Sequence, residues 1–147
     1  YELRNAARDR IDLGASVIAR CGGPAKFMGN TEAILSAQHA WMGQAIAFDT
    51  KNGASLIKMT SGQAIQAIVN GTGLKAVMQK RGFTPAQINA CAADPAAIKA
   101  VLAMDKDADE RVKVPYTPYF VINGNETDRL SSWTQMEAMI GFYLGRS

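Results

Sequence analysis

Apolar side chains recur at helical spacing through residues 9–110 and give way to a short β-type run near the end of the chain. From Asp9 onward Ile11, Leu13, Val17, Ile18 and Cys21 share one helical face until Gly22-Gly23-Pro24 stops the pattern. That spacing predicts a first helix of about three turns. A second helix is predicted from Pro24, carrying Phe27, with a break at Gly29-Asn30, Thr31 as cap of the later portion, and continuation through Ile34, Leu35 and Trp41. Between Gln44 and Met59 the periodicity loosens, and Asp49-Thr50-Lys51-Asn52-Gly53 reads as a loop. It returns with Ile65, Ile68 and Val69, ends at Asn70-Gly71, and resumes in a helix holding Leu74, Val77 and Met78.

Arg81-Gly82-Phe83 ends that helix, and Thr84-Pro85-Ala86-Gln87 supplies an N-cap, a first-turn proline and a capping-box glutamine. Ile88 and Cys91 fall on the apolar side of the helix that follows. Asp94-Pro95 opens another helix, with Ile98, Val101 and Leu102 inward and a charged outer end reaching Glu110. Beyond Lys113 the pattern changes. Tyr119, Phe120, Val121 and Ile122 predict a short buried strand, Asn123-Gly124 a two-residue turn, and Thr127 to Ser131 the partner strand. Trp133, Met136, Met139, Ile140 and Tyr143 predict a closing amphipathic helix. At the other end, Tyr1 to Asn5 alternates and reads as a short strand. A strand, a long run of helices, then a strand pair and a last helix is an α+β pattern with helices inserted between sheet strands.

Composition changes this picture little. The 147 residues, 48% of them hydrophobic, suffice for one sizeable core. A net charge of +3 is spread over mixed clusters such as Arg8-Asp9-Arg10-Ile11-Asp12 and Asp105-Lys106-Asp107. Without aromatic residues among clustered cations, this argues for a solvated surface and against a nucleic-acid partner. No run approaches the roughly 18 apolar residues of a membrane span, and no signal-peptide pattern opens the chain. The sequence begins Tyr1-Glu2-Leu3-Arg4-Asn5, with no initiating Met, and the expectation is a piece of a longer protein.

Four features are candidates for chemistry. His39 is the sole histidine, with no cysteine pair near it in sequence, so it reads as a surface or half-packed helix residue and no metal site is expected. Gly71-Thr72-Gly73 is glycine-rich, but no strand leads into it and no Gly-Lys-Ser/Thr follows, so it reads as an inter-helix turn. Cys21 and Cys91 are the two cysteines; buried free thiols, a redox pair and a structural disulfide all remain open for them. Pro118 stands directly before the predicted strand, where it cannot donate to a ladder.

Thr117-Pro118-Tyr119-Phe120-Val121-Ile122-Asn123-Gly124, followed by a polar hairpin and a terminal amphipathic helix, resembles the end of a thioredoxin-fold domain. More narrowly it resembles the DsbA-like thiol:disulfide oxidoreductases. The resemblance implies a thioredoxin-like fold with an inserted helical domain, classed as α+β or α/β, whose first strand and active-site helix are absent from the sequence. Residues 1–8 would be a thioredoxin-domain strand, 9–110 the insertion, and 111–147 the cis-proline loop, β-hairpin and C-terminal helix. It implies a cis Thr117-Pro118 bond, with Thr117 and Pro118 receiving substrate beside a Cys-x-x-Cys. No Cys-x-x-Cys is present, so the redox pair is expected upstream and this chain by itself is expected to be inactive. Ala-Arg-Cys-Gly-Gly around Cys21 and Ala-Cys-Ala-Ala-Asp-Pro around Cys91 resemble a second, non-catalytic disulfide that some members carry in the helical insertion. The implied setting is the periplasm, the implied partners are cysteine-containing polypeptides and a redox partner protein, and no metal or organic cofactor is implied. The alternative reading is a non-catalytic thioredoxin-fold peptide-binding or scaffold module; a glutathione-using relative ranks last.

Overall fold

The computed structural model describes residues 2–127, 130 and 132–145, which divide into two compact units, Tyr1–Asp107 and Ala108–Ser147. The first unit contains seven α-helices among its described residues: α1 (Arg10–Ala19), α2 (Pro24–Ser36), α3 (Gln38–Leu56), α4 (Ser61–Gly71), α5 (Leu74–Lys80), α6 (Pro85–Ala92) and α7 (Pro95–Asp107). Helices α1 and α4 are central. The first packs on α2, α4, α6 and α7, and the second also on α3, α5, α6 and α7. Their apolar stripes meet in a core where Val17, Ile18, Ile68, Val69, Leu74, Met78, Ile88 and Val101 are wholly buried.

Local signals set the helix starts. Asp9 Oδ1 accepts from the N–H groups of Ile11 and Asp12 at the start of α1, each at 2.8 Å. Thr60 with Gln63 and Thr84 with Gln87 form reciprocal capping boxes at α4 and α6, the second as the sequence predicts.

Tertiary contacts override sequence signals in four places. Residues 2–5 form no strand; Tyr1 lies outside the described residues. Arg4 pairs with Glu2 and Asp107, the Ala7 N–H donates to Asp105, and Asn5 accepts from Arg20, so this extended segment is tied to α1 and α7 by side chains. Helix α2 is unbroken at Gly29-Asn30. Asn30 is fully buried, and its Nδ2 donates to the carbonyls of Ala19 and Cys21 at 3.1 and 2.9 Å. It thereby satisfies carbonyls at the C-terminal end of α1 that the helix leaves unpaired. Thr31 consequently lies inside α2 and caps nothing, and the chain turns at Ala37 before Trp41.

The loop expected at Asp49 to Gly53 is instead part of α3. Thr50 and Asn52 return their side-chain donors to the carbonyls of Ile46 and Phe48, both at 2.8 Å, and Arg10 holds Asp49 at 2.7 Å and the Gly53 carbonyl at 3.1 Å. Finally, Leu102, expected inward, is 45% exposed, and α7 ends at Asp107 with a π-helical segment, Ala108–Val112, beginning the second unit.

The glycine turn between α4 and α5 is a packing device. The Phe48 ring of α3 occupies the space a Cβ on Gly71 would need, and the Trp41 Cβ lies 2.9 Å from a Cβ built on Gly73. Gly71→Ala gains up to about 1 kcal/mol of helix propensity but loses more to overpacking, for a net destabilisation of about 1–2 kcal/mol. Chemical denaturation measures this, and adding Phe48→Leu restores most of the loss.

The Asp12 carboxyl titrates away from its ordinary value. Burial raises Asp12 above 3.8, Asp9 acts in the same direction, and the hydrogen bond from the Arg8 N–H opposes both. The native state therefore holds this proton more tightly than the unfolded chain. Its contribution is fully present below pH 3.8 and is lost as pH rises through the folded value. Unfolding titrations between about pH 4 and 6 should show wild-type stability falling relative to Asp12→Asn as pH rises.

In the second unit β1 (Val121–Ile122) pairs antiparallel with β2 (Asn125–Glu126), Val121 opposite Glu126 and Ile122 opposite Asn125. Asn123 (φ 53°) and Gly124 (φ 80°) both take the left-handed conformation that a tight hairpin turn requires. The partner strand thus starts earlier than the expected Thr127 to Ser131, of which Asp128, Arg129 and Ser131 lie outside the described residues. Helix α8 (Trp133–Tyr143) follows, with the Ser132 hydroxyl accepting from the Gln135 N–H.

Candidate functional site

The segment from Val114 to Gly124 is built from backbone constraints. Lys113 takes a left-handed φ of 54°, and the Val114 N–H returns to the Ala108 carbonyl at 2.9 Å, which closes the end of the π-helical segment. Pro115 and Pro118 then remove two donors. The Thr117-Pro118 peptide bond is cis, and Tyr116 and Tyr119 on either side meet edge to face with ring centroids 5.6 Å apart. Thr127, buried at 6% exposure, donates both its N–H and its hydroxyl to the Phe120 carbonyl, at 3.2 and 2.8 Å, and so anchors the strand side of the loop.

Thr117 and Pro118 are exposed. Among the described residues the Thr117 backbone makes no hydrogen bond, and β1 starts four residues further on. The expected buried strand is more open than its aromatic and β-branched sequence suggests: Val121 is 46% exposed and Ile122 half-buried. The pairing is a two-residue ribbon, and no third strand covers it among the described residues. The same holds for α8. Its helix matches the predicted pattern, yet none of its described residues is buried, and Trp133 and Phe142 are more than 70% exposed.

The cysteines lie in the first unit. Cys21, at the end of α1, and Cys91, in α6, form a disulfide with Cα atoms 5.7 Å apart, which removes the free-thiol alternative left open by the sequence. His39 is exposed on α3, and among the described residues no three His, Cys, Asp or Glu side chains are grouped to hold a metal. No described helix is long and apolar enough to cross a membrane.

Two residues that matter here escape sequence reading. Asn30 gives no signal beyond an Asn after Gly, which suggests a break. Arg20 places its guanidinium 4.5 Å from the centre of the Phe27 ring while donating to Asn5 and to Met104 Sδ; burial lowers its pKa.

A helical unit followed by a proline loop, a hairpin and a terminal helix is a helix-rich α+β arrangement, and two comparisons identify it as thioredoxin-like. The thioredoxin family profile matches residues 1–141, and the chain belongs to that family. A solved structure, that of a protein-disulfide isomerase from Novosphingobium aromaticivorans, is similar to it with a TM-score of 0.82. The two are 23% identical, over 93% of this chain and 70% of that one, and at that identity the likeness is one of fold. No curated protein matches the chain.

Proposed function

We propose that the chain is the helical and substrate-receiving part of a DsbA-like thiol:disulfide oxidoreductase acting on cysteines of exported proteins in the periplasm. The observation that carries this reading is the exposed Thr117-Pro118 pair with an unbonded Thr117 backbone, set just before an open strand edge. An extended polypeptide adds to such an edge through main-chain hydrogen bonds, and Pro118 withholds a competing donor. On this reading residues 1–8 and 111–147 belong to the thioredoxin domain and residues 9–110 are its insertion.

The exchange needs a thiolate with a depressed pKa, which a Cys-x-x-Cys at a helix N-terminus supplies. Cys21 and Cys91 are the two cysteines of the sequence and are bonded to each other. The redox pair is therefore assigned to chain upstream of this sequence. It is itself the redox couple, needing no metal or organic cofactor, and a partner protein resets it. A disulfide between Cys21 and Cys91 favours an oxidising compartment. Insulin reduction by dithiothreitol tests the assignment. The chain alone should give no acceleration over the uncatalysed rate, and the full-length protein should accelerate it strongly. A full-length sequence without the upstream cysteine pair would favour the non-catalytic peptide-binding module instead.

A further inference from the structure

The two cysteines of the disulfide differ in exposure. Cys21 is 1% exposed and belongs to the core, and its segment is fixed by Asn30, whose Nδ2 bonds the carbonyls of Ala19 and Cys21. Asn30 is in turn held by Arg81 Nε at 3.3 Å, so turning Cys21 outward would break a buried network. Cys91 is half-buried on the rim of α6. Ile88 and Ala92 of that helix face the core, and Gln87, Ala90 and Asp94 around it are exposed.

We propose that the disulfide opens at one sulfur only, making Cys91 a mixed-disulfide site for small thiols of the glutathione class, with Cys21 as its leaving and resolving partner. A thiolate attacks Cys91 Sγ; the new S–S bond forms there, the Cys21–Cys91 bond breaks, and the electron pair leaves on Cys21 Sγ, which takes a proton from water. The incoming thiol is oxidised and Cys21 is reduced. Because a thiolate is disfavoured in apolar surroundings, release of Cys21 is slow. The Cys21 thiol stays beside the mixed disulfide and re-attacks Cys91, expelling the small thiol. This exchange is independent of the proline loop, and it makes the cross-link of the helical unit responsive to thiol concentration through one residue.

The test uses the native protein in excess reduced glutathione, quenched with acid, alkylated with N-ethylmaleimide, digested and mapped by mass spectrometry. The expected result is glutathione on Cys91 and the maleimide label on Cys21. Glutathione on Cys21, equal occupancy of both, or no mixed disulfide at any glutathione concentration overturns the proposal. Independently, in Cys21→Ala and Cys91→Ala variants with native circular dichroism, the remaining thiol should react with oxidised glutathione roughly tenfold or more faster at Cys91 than at Cys21. Equal rates in the folded variants would overturn it as well.

Discussion

The double variant Cys21→Ala/Cys91→Ala unfolds with a stability roughly 4 kcal/mol below that of the oxidised protein. The bridge joins positions 70 residues apart, and in the chain-entropy model the loss of so long a closed loop frees the unfolded ensemble by that amount. Alanine is the informative replacement, because Cys21 is almost wholly enclosed and a serine hydroxyl there would add its own desolvation cost. The bridge fastens α6 to the end of α1, and α1 is one of the two helices on which the first unit packs. Thermal unfolding should shift downward by on the order of 10 °C, and reduction of the wild type should give the same shift. A midpoint within error of the oxidised protein would show that the cross-link contributes little.

Trp41→Ala should cost about 3–5 kcal/mol, by removing a large buried ring whose surroundings cannot collapse to fill the space. Trp41 is 3% exposed, its Cβ packs against Gly73 at the α4–α5 turn, and its indole N–H donates to the Ile34 carbonyl at 2.8 Å. That carbonyl lies in the last turn of α2, where no intrahelical partner reaches it. Trp41→Phe separates the two contributions. It keeps most of the apolar contact and leaves the Ile34 carbonyl unsatisfied, for a loss of about 1–3 kcal/mol. Equal losses for the two variants in urea titrations would show that the hydrogen bond, not the packing, dominates.

The parts of this chain legible in the sequence were those specified locally. Capping boxes, proline starts and a 3.6-residue apolar period place α1, α4, α5, α6 and α7 because each signal acts within one or two helical turns. The Asn123-Gly124 hairpin turn is legible for the same reason, since few residues accept two successive left-handed conformations. What escaped was decided at a distance. Asn30 continues α2 only because the end of α1 supplies carbonyls for its amide, and Asp49 to Gly53 stays helical because Arg10 reaches it from α1. Neither partner is adjacent in sequence. The strand expected at residues 1–5 does not form at residues 2–5 for a different reason, because alternation over five positions fits an extended coil as well as a strand. The disulfide and the candidate substrate loop were legible only through a family resemblance. Two cysteines and a proline before a strand do not define either by themselves.

On the proposed function, Thr117 and Pro118 form the receiving edge for an extended polypeptide. Amide chemical-shift mapping of the labelled chain with an unfolded peptide, its cysteine replaced by serine, tests this without any redox step. The expected result is shift changes concentrated at Tyr116, Thr117, Tyr119, Phe120 and Val121, growing saturably with peptide. Saturable shifts confined to the helices α1 to α7, with the loop unmoved, would contradict it.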